Sequence, residues 1–174
     1  MDGLDGLVGS CMIILITFFC ITVDNSFFPL LGSLIGFLIL NFPPAKVFMG
    51  DAGSTFLGAI YVSLLLNANS NEISFALLLI GSPLLLDALV CVIRRFFDGQ
   101  NIFEAHSLHL FQRLHKAGWS HLNVTSLYLF FTILIALTYL FFSLLPVLLI
   151  ALASIFSGFL IDRKYAVPFK KMKS

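Results

Sequence analysis

From Thr125 to Leu144 the chain reads TSLYLFFTILIALTYLFFSL, an apolar run with no Asp, Glu, Lys or Arg. A helix needs about 20 residues to cross the hydrocarbon core of a bilayer, and this run is that long. It is apolar continuously, whereas a strand of a membrane barrel alternates. Lipid offers the backbone no water, so such a run spans as a helix. Working outward, similar segments run from Pro146 to Ile161 on one side and from Ile73 to Ile93 on the other. Earlier still are Thr55–Leu66, Phe27–Phe42 and Leu7–Val23. The Thr55 segment is short and needs Gly53–Ser54 or Asn67–Ala68 to complete a crossing. The expectation is an all-α, polytopic transmembrane helical protein with about six membrane-spanning helices, residues 1–174 forming one integral membrane domain.

Composition agrees. Hydrophobic residues make up 59% of the chain and charged residues 11%, against roughly 25% charged in a soluble domain. The mean hydropathy is +1.02. These values exclude an ordinary soluble enzyme and make the lipid bilayer the first expected partner; no nucleic-acid partner is expected. Asp2 and Asp5 follow Met1 where a signal peptide would carry basic residues, so no secretory signal is expected. Cys11, Cys20 and Cys91 lie inside apolar runs without metal-type spacing and read as small buried hydrophobes.

Charge placement tests the span count. Six spans put the residues before Leu7, the loop near Pro43–Ala52, the stretch Arg94–Val124 and the tail after Ile161 on one side. All 10 Lys and Arg residues fall there: Lys46, Arg94, Arg95, Arg113, Lys116, Arg163, Lys164, Lys170, Lys171 and Lys173. The positive-inside rule makes that side cytoplasmic. Arg94–Val124 is the longest polar stretch, too long for a mere connector.

The same side collects the groups capable of chemistry. Met1-Asp2-Gly3-Leu4-Asp5-Gly6-Leu7 carries two carboxylates three positions apart, which share a face if the next helix extends back to them. Phe48-Met49-Gly50-Asp51-Ala52-Gly53-Ser54 sets an acid between glycines at a span entrance. Hard oxygen donors suit Mg²⁺, which takes one or two carboxylates plus substrate phosphates. Asp51 as a helix cap and Asp2 as a solvated chain end is the competing reading. The loop from Ala105 to His121 holds all 4 histidines. His106, His109 and Arg113 recur at helical spacing and point either to a zinc site or to donors for a diphosphate. The zinc reading lacks cysteine partners and a Glu at helical spacing between the histidines. Asp87, inside the fourth span, is an intramembrane carboxylate and so a functional candidate; pairing with Arg94 or Arg95, or a pore-lining role, stands beside catalysis.

Together these segments resemble the polyprenyl-phosphate N-acetylhexosamine-1-phosphate transferases, the glycosyltransferase family 4 enzymes that include the phospho-N-acetylmuramoyl-pentapeptide translocase. Three elements match in the family's order: Asp2 to Leu7, Phe48 to Ser54, and the histidine loop. His106-Ser107-Leu108-His109-Leu110-Phe111-Gln112-Arg113-Leu114, followed by Ala117-Gly118-Trp119-Ser120, looks like the O-antigen-initiating subgroup. The resemblance implies Asp2 and Asp5 as catalytic acids and Asp51 as the Mg²⁺ ligand. It implies His106, His109 and Arg113 as contacts to a UDP-N-acetylhexosamine, with undecaprenyl phosphate as acceptor. The product would be a lipid diphosphate sugar that initiates a cell-envelope polysaccharide, with UMP released. Two departures accompany it. The family's upstream spans and first aspartate pair have no counterpart here, so the chain looks like a C-terminal half that would call on an upstream half or a homo-oligomer. Ser107 also stands where the subgroup carries Arg. A non-catalytic membrane subunit or pseudoenzyme binding nucleotide-sugar is the alternative function, and a small transporter a weaker one.

Overall fold

A computed structural model describes residues 3–102, 104 and 106–169. The first helix, α1 (Leu7–Thr22), begins where Gly6 takes a left-handed conformation, φ 72°. A side chain at Gly6 would also meet Pro43 at 3.3 Å. The Gly6 N–H donates to Asn41 Oδ1 at 3.1 Å, tying the start of α1 to the end of α2 (Phe28–Asn41). Because α1 starts at Leu7, Asp5 stands outside the helix. Asp2 itself lies outside the described residues.

Helix α1 is apolar on all sides, as a helix enclosed by others can be. Leu7, Cys11, Leu15, Ile16, Phe18 and Phe19 are all sealed from solvent. It packs against α2, against α3 (Gly50–Leu66), against α4 (Asn71–Ile80) and most extensively against α7 (His121–Phe141). The outer helices contrast with it: Ile39, Phe56, Phe130, Leu152 and Phe156 are exposed, as suits surfaces that face lipid tails. Helix α7 and α8 (Leu144–Tyr165) are each long and apolar enough to cross a membrane. Helices α1, α2 and α3 are apolar but shorter. Helix α3 runs from Gly50 to Leu66, so Gly50–Ser54 completes the short third segment.

The fourth segment departs from a single straight span. It divides into α4 and α5 (Ser82–Phe97), bent by 68°. The cause lies in Gly81-Ser82-Pro83: proline offers no N–H and its ring collides with the carbonyl of the preceding turn. The bend is locked from the side by α3. The Tyr61 hydroxyl donates to the Leu77 carbonyl at 3.1 Å, and a Cβ on Gly81 would meet that hydroxyl oxygen at 2.5 Å.

Within the long loop the described residues form one further short helix, α6 (Leu110–Lys116). Hydrogen bonds then gather the four expected loop segments at one end of the bundle. Asp5 Oδ2 accepts from the Ala45 N–H (3.0 Å), Thr125 Oγ1 donates to the Asp5 carbonyl (3.0 Å), and Arg113 Nε donates to the Val167 carbonyl (2.8 Å). The turn at Asp24–Ser26 and the Ser70 cap of α4 belong to other connections.

Candidate functional site

The site is built around Asp87, one turn into α5. Its side chain is 5% exposed. Three donors converge on it: the Leu110 N–H at 2.7 Å, the Phe111 N–H at 3.3 Å and the Tyr128 hydroxyl at 2.8 Å. The first two are N–H groups of the opening turn of α6, which have no acceptor within their own helix. Asp87 is therefore the clasp that holds the histidine loop against the bundle. Of the alternatives left open by the sequence, pairing with Arg94 or Arg95 does not form. Arg95 turns to Gln100 Oε1 (3.3 Å) and to the carbonyls of Asn101 and Ile102. Arg94 pairs with Asp162 at 2.5 Å.

His106 and His109 come together as expected, their rings 4.9 Å apart. They precede α6, so loop geometry and not a shared helical face pairs them. His109 occupies the N-cap position of α6 and stacks on Phe111, ring centroids 5.3 Å apart and 7° from parallel. Burial, reinforced by the Arg95 guanidinium, holds His106 down to about 4; burial likewise holds His109 down to about 4. Both rings are therefore neutral at physiological pH, able to donate or accept one hydrogen bond each but not to supply positive charge. The Nδ1 of His109 is buried without a partner among the described residues and lies 3.9 Å from Asp87.

Arg113 faces away from the two rings. It forms an ion pair with Asp162 in the last turn of α8, and its guanidinium lies over the Phe169 ring at 5.5 Å. Arg113, Arg94, Asp87, Cys91 and Asp162 nevertheless share one cavity of about 170 Å³ between α5, α7 and α8. Most of its remaining walls are apolar, among them Leu86, Val90, Phe131 and Ile155. A cavity with charged groups around apolar walls can take an amphiphile with an anionic end. Asp162 went unremarked in the sequence, although an acid in the last turn of a helix opposes the helix dipole and so asks for a cationic partner.

Of the other three predicted acids, Asp2 lies outside the described residues, and Asp51 and Asp5 do not line this cavity. Asp51 is exposed in the first turn of α3, where Met49 takes the N-cap position and no side chain caps the helix. The helix-cap reading of Asp51 thus fails. An exposed carboxylate at a helix entrance is a donor that suits Mg²⁺ and a phosphate ligand. Asp5 is already engaged: besides Ala45, it meets His121 Nδ1 at 3.0 Å. His121 Nε2 lies 3.2 Å from His115 Nε2, and His115 Nδ1 lies 2.9 Å from the Trp119 carbonyl. Sequence spacing gave no sign of this second histidine pair, because Asp5 and His121 meet only in the fold.

An all-helical, lipid-facing bundle with acids and histidines at one end defines a polytopic membrane protein. Residues 1–69 match the family described as glycosyl transferase family 4. A phospho-N-acetylmuramoyl-pentapeptide-transferase from Carboxydothermus hydrogenoformans is 32% identical over 147 residues, covering 78% of this chain and 44% of that protein. A decaprenyl-phosphate N-acetylglucosaminephosphotransferase from Mycobacterium leprae is 34% identical over 161 residues, 73% of this chain and 40% of that protein. A Bacillus subtilis protein named a probable undecaprenyl-phosphate N-acetylglucosaminyl 1-phosphate transferase is 32% identical over 143 residues, 74% of this chain and 40% of its own length. The chain belongs to glycosyl transferase family 4. It spans less than half the length of these relatives. No solved structure gives a significant match.

Proposed function

We propose that this chain serves in the transfer of an N-acetylhexosamine-1-phosphate from a UDP-sugar to undecaprenyl phosphate, at the cytoplasmic face of a bacterial inner membrane. The observation that carries the reading is the conjunction of family membership with an exposed Asp51 and a neutral, loop-borne histidine pair at the polar end of the bundle. In such a transfer an oxygen of the acceptor phosphate attacks the sugar-bearing phosphorus. The diphosphate bond breaks and UMP leaves with its electrons. Asp51, with Asp2, would hold Mg²⁺, which when bound supplies charge neutralisation for the phosphate oxygens. His106 and His109 donate hydrogen bonds to the nucleotide-sugar, while the cavity lined by Arg94 and Arg113 receives the lipid phosphate end of the acceptor. Initiation of a cell-envelope polysaccharide follows as the cellular outcome.

The test is UMP release from UDP-N-acetylglucosamine, or a related UDP-N-acetylhexosamine, with undecaprenyl phosphate and Mg²⁺. Asp51→Asn should lower the rate at least a hundredfold, several kcal/mol of transition-state stabilisation. Asp51→Asn turnover near that of the unmodified chain would remove Asp51 from the metal. A second reading has its own observation: Asp5 is tied to His121 and Ala45, and Arg113 to Asp162, so both groups are committed internally. That arrangement fits a non-catalytic subunit that binds nucleotide-sugar. UDP-sugar binding without UMP release, also when an upstream half from a relative is supplied, would favour it.

A further inference from the structure

The spacing of the cysteines gave the histidine loop no thiol partner. The fold supplies one. Cys91, buried on α5 one helical turn beyond Asp87, faces the loop, and its Sγ lies 4.0 Å from His106 Nδ1. One ligand atom from each of Cys91, His106 and His109 lies within 4.8 Å of the other two. We propose that Cys91, His106 and His109 form a binding site for a borderline-soft divalent cation of the zinc type.

Geometry is the first support. With Zn–S near 2.3 Å and Zn–N near 2.0–2.1 Å, a tetrahedral site sets sulfur and nitrogen about 3.6 Å apart. The Cys91–His106 separation of 4.0 Å is a few tenths longer, within reach of a small ring rotation. Chemistry is the second. One thiolate and two imidazoles select zinc-like ions, whereas Mg²⁺ prefers oxygen. The site is thus separate in kind from a Mg²⁺ site at Asp51. The third support is the orphaned His109 Nδ1 beside Asp87. A carboxylate next to a ligating imidazole orients the ring, and Asp87 is itself fixed by Leu110, Phe111 and Tyr128. Cys91 also lines the cavity between α5, α7 and α8.

Binding converts the Cys91 thiol to a thiolate, and its proton leaves to solvent as the metal–sulfur bond forms. Three protein ligands leave a fourth position for water or an anionic oxygen. The site does not rest on the transferase reading. Where that reading holds, an ion here takes both histidines away from the nucleotide-sugar.

The probe is Co²⁺, titrated into the purified, reduced 174-residue chain in detergent. The expected result is a near-ultraviolet thiolate-to-cobalt charge-transfer band with tetrahedral visible bands, both lost when Zn²⁺ is added. Cys91→Ser should abolish the charge-transfer band and weaken binding at least tenfold, while Cys20→Ser, on α1, leaves both unchanged. If Cys91→Ser does not fold, the unmodified chain decides: Zn²⁺ should slow alkylation of Cys91, read by mass spectrometry, with Cys11 and Cys20 as internal references. Absence of a thiolate band, its persistence in Cys91→Ser, or alkylation of Cys91 indifferent to Zn²⁺ would each overturn the proposal.

Discussion

The loop between α5 and α7 carries two histidine pairs, each beside an aspartate, and they end in opposite states. His115 and His121 form a hydrogen-bonded chain from Asp5 to the Trp119 carbonyl, at the rim where His115 is exposed. His106 and His109 lie inward, with one ring nitrogen left without a partner, beside an aspartate whose oxygens are already taken by backbone amides and a tyrosine. Residue types are the same in both; the environments differ. A satisfied pair fastens the chain, and an unsatisfied buried pair is available to a ligand. The outer pair is thus closed on partners within the chain, whereas the inner pair, above the Asp87 clasp, leaves one ring nitrogen open.

The largest expected effect comes from breaking the clasp beneath the inner pair. Asp87→Ala leaves the Leu110 and Phe111 amides and the Tyr128 hydroxyl without their acceptor. Each buried donor left unsatisfied costs about 1–3 kcal/mol, with partial recovery by relaxation. Asp87→Ala should therefore lose about 2–4 kcal/mol in detergent unfolding, more than any single substitution in the outer pair. A loss below that of His121→Ala would reverse the ranking of the two halves.

A smaller effect should appear in acid. The folded chain holds His106 and His109 down to about 4, whereas unfolded histidine titrates near 6.5. Between these values the unfolded chain binds more protons, so stability rises with pH there. The contribution is complete above about 6.5 and is lost progressively as pH falls toward 4. Measured with a chelator present, the doubly substituted His106→Gln, His109→Gln chain should show a flatter acid limb across that window. An unchanged limb would show that burial does not keep this pair neutral.

How far these differences could be read from sequence depends on their range in the chain. The Thr125–Leu144 run and the sidedness of charge are local patterns, and α7 and α8 follow from them directly. The Ile73–Ile93 run is equally apolar, but Pro83 beside Gly81 is a helix-breaking signal that continuous hydropathy conceals; the result is the bend between α4 and α5. Asp87 was visible as an intramembrane acid, yet the nearest cations in sequence were the wrong partners, because α6 folds back and offers amides instead. Cys91 looked inert for the same reason: its histidine neighbour is 15 positions away and reaches it only after the clasp closes. Arg113 stood out as a cation, while Asp162, which neutralises it 49 residues later, did not.

The smallest effect is the most discriminating between the two pairs. In the outer pair, Asp5 and His121 are in direct contact at 3.0 Å, with side chains 14% and 28% exposed. Exposed polar contacts couple by no more than exposed ion pairs, about 0.2–1 kcal/mol. A double-mutant cycle of Asp5→Asn and His121→Gln should give about 0.5–1 kcal/mol, since Ala45 and His115 also lose partners and the single changes will not add. Trp119 is a convenient reporter, as the only tryptophan and the residue whose carbonyl ends the chain of contacts. In the inner pair, Asp87 and His109 stand 3.9 Å apart without a hydrogen bond, and His109 is neutral. The same cycle on Asp87→Asn and His109→Gln, in chelator, should return a smaller coupling despite deeper burial. Zn²⁺ should then raise the inner coupling, because an imidazole that ligates a cation gains a reason to hold its carboxylate neighbour. An inner coupling larger than the outer one before metal is added would mean that His109 is already held by Asp87, and the division of the loop into an open half and a fastened half would fall.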